Sequence, residues 1–288
     1  MLAIPHNLLD AARQENRTDW LGRLPLIVAE LSGRWSLEVG APFQPGGQTA
    51  WVAPVRDASG RALVIKIGWP HFEAADEAAG LAAWRGGGTV LLHAAETLAD
   101  ANALLLERCL PGSALSSRPE AEQDEVVAAL LSRLWIRPPD RTSFRPLADM
   151  CTRWADSFEA GGGSAALDPG LAREGIALFR ELPASATRSV LLCTDLHAGN
   201  VLAAERERWL AIDPKPYVGD PTYDVLQHML NCAERLHADP LGFVRRMAEL
   251  TAVDAERLRL WLFARCVQES REYPQLAAVA VRLARSRG

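Results

Sequence analysis

Four polar residues in the last third of the chain have types and spacing that suit chemistry. Asp195, His197 and Asn200 lie in one loop between two short apolar runs, and Asp213 ends a further apolar run. Short apolar runs bounded by turn-forming residues predict buried strands. Both acids and the asparagine are therefore expected at the ends of strands.

Asn200 and Asp213 would supply oxygen atoms, which are the ligands that Mg²⁺ prefers in proteins. Asp195, one loop away, could accept a proton from an attacking hydroxyl group. Metal ligands from an Asn and an Asp, together with a carboxylate that positions the nucleophile, are the parts that phosphoryl transfer requires.

The alternative is that these residues only form turns, because Asp and Asn often close hairpins. Asp213, at a strand end directly before Pro214, favours the chemical interpretation of Asp195 and Asn200. His197, by its place in the loop, is interpreted as a structural hydrogen-bonding residue rather than as an acid or base.

The composition is that of an ordinary globular protein. The 288 residues are 49% apolar and 23% charged, which suffices for one large domain or two smaller ones. No apolar run approaches a membrane span, and the N-terminus lacks the features of a signal peptide. The net charge of −5 argues against nucleic acid. We expect no nucleic-acid or membrane partner, and no obligatory protein partner is evident.

The five cysteines are scattered along the chain. Their number is odd, and no pair has the spacing of metal ligands. We therefore predict reduced thiols and a cytoplasmic protein.

The predicted secondary structure changes from mainly strands to mainly helices near residues 110–113. Residues 1–33 have helical spacing, and short β-rich runs follow, with one helix predicted at 72–84. The predicted strands are 35–43, 49–55, 62–68, 90–93 and 103–109. Farther on, helices dominate, and Ser117 with Glu120 forms a capping-box signature. We predict two domains, 1–109 and 110–288, with a cleft between them.

Two motifs, DLHAGNVL at 195–202 and WLAIDP at 209–214, resemble the catalytic and metal-binding loops of the aminoglycoside phosphotransferases. The similarity is to the branch of streptomycin 6-kinases and hydroxyurea kinases, and residues 218–231 and 261–270 also resemble that branch. The resemblance covers residues 35–270. It implies an α+β, bilobal protein-kinase-like fold, with a small β-rich N-lobe and a larger helical C-lobe.

One tripeptide departs from the family pattern. The family has His-Gly-Asp or a close variant where this chain has Cys193-Thr194-Asp195. A cysteine retains the packing of the histidine but loses its hydrogen bonds, which concerns the rigidity of the loop more than activity.

The resemblance places ATP in the β-rich part. Lys66, inside an apolar strand, resembles the lysine that pairs with the α- and β-phosphates, although a lysine stem can also reach solvent from such a position. Its expected partner is Glu77, which shares a helix face with Leu81 and Trp84. Glu73 is the second candidate, and a solvated surface charge is the alternative.

Two further segments are expected to contact ATP. Gly46 and Gly47 permit a tight turn whose amides could face phosphate, although ordinary hairpins share this pattern. Residues 104–112 resemble the strand and hinge between the lobes. Backbone groups near Glu107 and Cys109 are therefore expected to bind adenine.

Two acids have other expected roles. Asp224 resembles the acid that begins a helix under the catalytic loop and braces that loop's backbone, a support to which His197 contributes. Glu269 and Glu272 share one helix face. Glu269 is expected to line a pocket for a cationic acceptor, and a solvated helix face is the alternative.

These features predict an ATP- and Mg²⁺-dependent kinase that phosphorylates a hydroxyl group of an aminoglycoside-like antibiotic or another polyhydroxylated amine. A kinase for an amino sugar or amino alcohol is the first alternative. A pseudokinase that binds nucleotide without turnover is the second, supported only by Cys193-Thr194. The segment from Asp213 to Asp224 is too short for the activation loop of a protein kinase. The acceptor, the choice between ATP and GTP, and the oligomeric state stay open.

Overall fold

The computed structural model describes residues 2–139 and 144–285, which divide into two compact units. The first unit comprises the described residues up to Gly112 together with Ala203–Arg208. The second comprises Ser113–Leu202 and the described residues from Trp209 onward. Within the described ranges, no helix is both long and apolar enough to cross a membrane.

The first unit is built on a five-stranded antiparallel sheet with the strand order β1-β2-β3-β5-β4. In β3, burial alternates with the two-residue period of a strand: Leu63, Ile65 and Ile67 are buried, and Lys66 lies on the other face. The strands are β1 (Glu38–Val39), β2 (Ala50–Arg56), β3 (Ala62–Gly68), β4 (Leu92–Thr97) and β5 (Asn102–Glu107).

Three helices complete this unit: α1 (His6–Gln14), α2 (Thr18–Arg34) and α3 (Glu77–Trp84). The apolar stripes of α1 and α2 cover the buried face of the sheet and form one core with it. The core residues that these helices contribute are Leu8, Ala12, Trp20, Leu24, Ile27, Val28 and Leu31.

Several predicted boundaries in this unit were wrong; β5, for example, ends at Glu107 and not at residue 109. Strand β1 is only Glu38–Val39, because Trp35 still caps the end of α2 and Ser36 is left-handed, with a φ of 54°. Strand β4 runs from Leu92 to Thr97 and so begins two residues after the predicted start. Residues 72–76 form turns, and α3 begins at Glu77, since its first helical hydrogen bond runs from the Gly80 N–H group to the Asp76 oxygen.

The second unit is mainly helical. Its helices are α4 (Glu120–Leu134), α5 (Leu147–Ala160), α6 (Pro169–Glu181), α7 (Pro221–Asp224), α8 (Leu226–Asn231), α9 (Ala233–Ala238), α10 (Pro240–Thr251), α11 (Ala255–Glu269) and α12 (Leu276–Ala284). Two small two-stranded sheets pair β6 with β9 and β7 with β8. These strands are β6 (Val190–Leu192), β7 (Val201–Ala203), β8 (Trp209–Ala211) and β9 (Tyr217–Gly219).

The predicted capping box at Ser117 was also wrong. The Ser117 hydroxyl donates to the Ala114 oxygen, and Pro119 occupies the N-cap position of α4 without a side-chain cap. A residue before proline is restricted to extended conformations, and Arg118 is extended. The helix therefore cannot begin before Pro119.

A buried carboxylate ties four helices of the second unit together. Asp124 on α4 is fully buried and contacts His228 Nε2 on α8 at 2.9 Å. Arg235 Nη2 on α9 donates to it at 2.8 Å, and Arg246 Nε on α10 donates at 2.6 Å. Burial raises the pKa of Asp124, but the hydrogen bonds from His228, Arg235 and Arg246 outweigh burial and lower the pKa to about 2.

We expect this network to make stability depend on pH in the acid range. Because the folded pKa of Asp124 lies below its ordinary value of 3.8, its stabilisation is present above that value and is lost as pH falls toward 2. Asp124→Asn should lower the free energy of unfolding by about 2 kcal/mol at pH 7. The difference in the free energy of unfolding between the variant and the unsubstituted protein should become smaller between pH 4 and pH 2. Urea unfolding at each pH measures it.

The matched control is Glu125→Gln, on the same helix, whose exposed carboxylate lies 3.7 Å from Arg246. An exposed ion pair contributes little, so this variant should unfold like the unsubstituted protein. If Asp124→Asn lowers the free energy of unfolding by the same amount from pH 7 to pH 2, the loss of stability in acid is not caused by Asp124.

Candidate active site

The loop Cys193–Asn200 connects β6 to β7 and is held by its backbone. Thr194 adopts a left-handed conformation, with a φ of 49°, which is unfavourable for a β-branched residue. Its hydroxyl donates to the Lys215 oxygen, and the Cys193 oxygen accepts from the N–H groups of both Asp195 and Lys215, at 2.8 and 2.9 Å. A strained residue held by several bonds is typical of functional loops.

Asp224, at the end of α7, fixes this loop from below. Its carboxylate accepts from the backbone N–H groups of Cys193 and Thr194, at 3.0 and 2.6 Å, and from Trp135 Nε1 at 3.0 Å. Burial raises the pKa of Asp224 to about 6, although these three donors oppose the rise.

Asp195 is oriented by two side chains that contact its two oxygens separately. Gln227 Nε2 on α8 donates to Oδ1 at 3.0 Å, and Lys215 Nζ lies 3.1 Å from Oδ2. Burial raises the pKa of Asp195, and the Lys215 ammonium group opposes the rise. The carboxylate therefore has a fixed direction and a nearby positive charge, which suits a group that must orient a hydroxyl and accept its proton.

Asn200 is also oriented, because its side-chain amide nitrogen donates to the main-chain carbonyl oxygen of Asp195 at 3.1 Å. This contact identifies the other side-chain atom, Oδ1, as the one available to a cation. The Asn200 main-chain oxygen accepts from the Ile212 N–H group at 2.9 Å, which ties this residue to the one before Asp213. Asp213 has a φ of 53°, a second left-handed residue in the site.

The donor set of Asn200 and Asp213 fits Mg²⁺, which is bound by few protein oxygens and completes its shell with water and phosphate. Among the described residues, no cluster of three or more His, Cys, Asp or Glu side chains could hold a metal by itself.

His197 has the geometry of a structural residue. Its Nδ1 accepts from the Gly199 N–H group at 3.1 Å, which caps the short 3-10 turn Ala198–Asn200. Burial lowers the pKa of His197, so the neutral ring that accepts this bond is favoured.

In the first unit, Lys66 and Glu77 form a close ion pair. Lys66 Nζ lies 2.7 and 2.8 Å from the two Glu77 oxygens, and the side chains are 16% and 6% exposed. Glu77 lies at the first turn of α3, and Leu81 and Trp84 on the same helix are also buried. The pair lowers the cost of burying each charge and fixes the direction of the ammonium group.

The turn at Gly46 and Gly47 presents its backbone amides. Gly46 has a φ of +84°, which favours glycine, and Gly47 is exposed. In the part of the chain that the structure describes, the N–H groups of these two residues donate to no protein acceptor. Successive amides of this kind can bind an anion.

Near the end of β5, the Glu107 N–H group already donates to the Leu91 oxygen at 2.9 Å. An adenine contact at Glu107 is therefore restricted to its carbonyl group. Among the described residues, the Cys109 N–H group has no protein acceptor. The Glu107 side chain accepts from Leu91 N–H and from Arg206, whose guanidinium also donates to the Gly86 and Thr89 oxygens.

Glu269 is partly buried near the end of α11 and forms an ion pair with Arg265, at 2.5 Å. Arg265 is itself buried and stacks over the Trp154 ring, 4.3 Å from the ring centroid. The Glu269 charge is therefore largely balanced within its own helix.

Sequence reasoning missed the residues that orient the predicted ones. Lys215 follows Asp213 by two positions, and this proximity was the one available signal. Gln227 reaches Asp195 only because α8 passes beneath the loop, and Arg206 reaches Glu107 across a long sequence separation. Asp220 is a further residue of this kind and accepts from Arg257 Nε and Trp261 Nε1, each at 2.6 Å.

The fold and the site define a protein-kinase-like phosphotransferase. The crystal structure of choline kinase LicA from Streptococcus pneumoniae superimposes with a TM-score of 0.62 at 13% identity, covering 92% of this chain and 98% of that one. This likeness shows the α+β fold that the sequence predicted.

The chain belongs to the aminoglycoside/hydroxyurea antibiotic resistance kinase family, whose model matches residues 34–273. A hydroxyurea phosphotransferase of Kitasatospora aureofaciens is 39% identical over 85% of this chain and 72% of its own length. A streptomycin 6-kinase of Streptomyces glaucescens is 32% identical over 87% of this chain and 83% of its own. The predicted family and the predicted class of enzyme, a phosphotransferase, are confirmed.

We expect Asp224 to be essential for the shape of the loop before Asp195. Asp224→Ala would leave the buried N–H groups of Trp135, Cys193 and Thr194 without acceptors, at about 1–3 kcal/mol for each buried group. The free energy of unfolding should fall by about 3 kcal/mol or more, and kcat should fall with it. Urea unfolding and steady-state kinetics measure the two effects.

The prediction that Asp224 begins a helix was wrong, because Asp220 caps α7 and Asp224 is its last residue. Asp239→Ala is the control, since Asp239 is the N-cap of α10 and accepts from the exposed Gly242 N–H group. Loss of such a cap costs about 1 kcal/mol and should leave kcat unchanged. Equal losses of stability and kcat in the two variants would show that Asp224 is an ordinary cap.

Proposed function

We propose that this protein transfers the γ-phosphoryl group of ATP, with Mg²⁺, to a hydroxyl group of a small antibiotic of the streptomycin or hydroxyurea type. The observation that supports this most directly is the orientation of Asp195 by Lys215 and Gln227, with Asn200 bonded to the same loop. A carboxylate fixed in this way can hold a hydroxyl group in one direction and accept its proton.

In the second unit, Asp195 would orient the acceptor hydroxyl, and Asn200 Oδ1 with the Asp213 carboxylate would hold Mg²⁺. When bound, Mg²⁺ would neutralise the negative charge that develops on the phosphoryl group. Lys215 would keep Asp195 ionised until the hydroxyl is bound, since its ammonium group opposes the effect of burial on the pKa of Asp195.

In the first unit, Lys66 would bind the α- and β-phosphates in a direction set by Glu77. The amides of Gly46 and Gly47 would bind phosphate oxygens. The Glu107 carbonyl and the Cys109 N–H group would bind the adenine edge. This pair of groups, one acceptor and one donor, would match the amino group and a ring nitrogen of adenine.

The bonds of the catalytic loop argue against a pseudokinase. The departure at Cys193 and Thr194 was the only support for that alternative, and both residues are bonded to Asp224 through their backbone. A kinase for an amino sugar or amino alcohol stays as the alternative acceptor class. Cytoplasmic localisation stays a prediction; the five cysteines form no disulfide bond in the structure.

The function is tested by ADP release, with and without Mg²⁺, in the presence of streptomycin, hydroxyurea, an amino sugar and choline. Acceptor-dependent ADP release with streptomycin or hydroxyurea supports the proposal. Turnover confined to the amino sugar or choline would establish the alternative acceptor class instead.

We expect Asp195→Asn to lower kcat by about 100-fold or more, because a positioned general base contributes a factor of this size. The KM for ATP should change little, since Asp195 is assigned to the acceptor. The exposed, loop-located Glu205→Gln serves as the control and should leave kcat unchanged. A kcat within a few-fold of the original in Asp195→Asn would refute the base assignment.

We expect Asp213→Ala to abolish turnover while the fold survives, because a metal ligand is removed from the phosphates. Loss of turnover should be accompanied by loss of the Mg²⁺ dependence of nucleotide affinity, measured by calorimetry at several Mg²⁺ concentrations. Thermal unfolding checks that the variant is folded. Turnover like that of the original protein would end the metal assignment.

We expect Glu269→Gln to raise the KM for streptomycin by about two- to fivefold and to leave the KM for ATP unchanged. The effect is small because Arg265 already balances the Glu269 charge. Higher salt should weaken streptomycin binding in the original protein more than in the variant. The KM for hydroxyurea, which carries no charge, should be the same in both.

The prediction that Glu269 and Glu272 share a helix face was wrong, because α11 ends at Glu269 and Glu272 lies in the turn that follows. Glu272→Gln is the matched control, since Glu272 is close in sequence and exposed. It should change neither KM. If Glu269→Gln behaves like this control with streptomycin, Glu269 belongs to a solvated helix face and the acceptor is bound elsewhere.

A further inference from the structure

The N-terminal segment holds the turn at Gly46 and Gly47 directly. Asn7, in the first turn of α1, donates from its backbone N–H group to the Pro45 oxygen at 3.3 Å and from Nδ2 to the Gly46 oxygen at 3.0 Å. The family match begins only at residue 34. The contacts of Asn7 are thus made by a part of the chain outside that match.

These two bonds determine where the amides of the turn point. In a trans peptide unit, the C=O and N–H groups point in opposite directions. The Pro45 carbonyl shares its peptide unit with the Gly46 N–H group, and the Gly46 carbonyl shares one with the Gly47 N–H group. Because Asn7 binds both carbonyls, both N–H groups are directed away from α1.

Packing supports the same arrangement. A Cβ atom at Gly46 would lie 2.3 Å from the Pro5 Cβ atom, closer than atoms can approach. Trp51 Nε1 on β2 donates to the Ala3 oxygen at 3.0 Å, and Leu8 of α1 is fully buried in the core of the sheet. The start of the chain is therefore anchored on the sheet on both sides of Asn7.

We propose that Asn7 is a positioning residue for nucleotide phosphate, which it serves by aiming the Gly46 and Gly47 amides at the phosphate oxygens. This inference rests on the proposed function, in which those amides bind ATP. Asn7 itself does not contact the nucleotide. Its effect is therefore confined to ligands that carry phosphate, which distinguishes it from a residue that only stabilises the fold.

The test compares ATP with adenosine in the full-length protein. Asn7→Ala removes the bond to the Gly46 oxygen and should weaken ATP binding by about three- to tenfold, the effect of one hydrogen bond. The affinity for adenosine and the KM for the acceptor should be unchanged. Isothermal titration calorimetry gives both affinities. Asn7→Ser, which keeps a polar residue too short to reach Gly46, should behave in the same way.

Gln14→Ala is the matched control, an exposed amide on the same helix, and should change neither affinity. Equal loss of ATP and adenosine affinity in Asn7→Ala and Asn7→Ser, or no loss of either, would overturn the inference. Lys66→Ala distinguishes a failure of the role assigned to Asn7 from a failure of the proposed nucleotide site. If it weakens ATP binding and Asn7→Ala does not, only the role of Asn7 fails. If Lys66→Ala also binds ATP normally, the proposed nucleotide site fails, and this inference with it.

Discussion

A single buried carboxylate, that of Asp224, determines the shape of the loop that carries Asp195. It accepts from the Cys193 and Thr194 N–H groups and from Trp135 at the end of α4. All three donors are neutral, so burial dominates and raises the pKa of Asp224 to about 6. The left-handed conformation of Thr194 is unfavourable by itself, and the two backbone bonds to Asp224 hold it. The direction of Asp195 follows from that conformation.

A comparison of Asp124 with Asp224 shows that the hydrogen-bond partners of a buried aspartate determine the direction of its pKa shift. Both carboxylates are fully buried, but Asp124 faces two guanidinium groups and a histidine, and its pKa is lowered to about 2. Asp124 therefore joins helices through charge, whereas Asp224 holds a loop through neutral donors. The negative charges of Asp224, Asp195 and Asp213 all act on Cys193, where burial and then these acids raise the pKa of the thiol. A neutral thiol is favoured there, and Cys193 serves as a packing residue.

The position of a site residue could be predicted from the sequence where it depends on the period of one strand or helix, or on one short motif. The alternation of β3 placed Lys66 opposite its buried neighbours, and the helical spacing of Glu77, Leu81 and Trp84 placed Glu77 on the buried face of α3. The sequence was insufficient where contacts depend on packing between distant segments, as for Gln227 beneath the catalytic loop. It also failed at element ends, since apolar spacing does not determine where the first helical hydrogen bond forms. Helix α3 and the false cap at Ser117 are both errors of this kind.

The short helix α7 links the catalytic loop to the helix that carries Glu269. Asp220 caps its start, accepting from the Thr222 N–H group and from Arg257 and Trp261 on α11, whereas Asp224 at its end holds the catalytic loop. Because α7 spans only Pro221–Asp224, a shift of α11 cannot be absorbed over several turns. The contacts with α11 at Asp220 and the contacts with the loop at Asp224 are therefore only four residues apart in the chain. If Glu269 contacts the acceptor as proposed, a substitution in α11 would alter the direction of Asp195 without any change in the loop Cys193–Asn200.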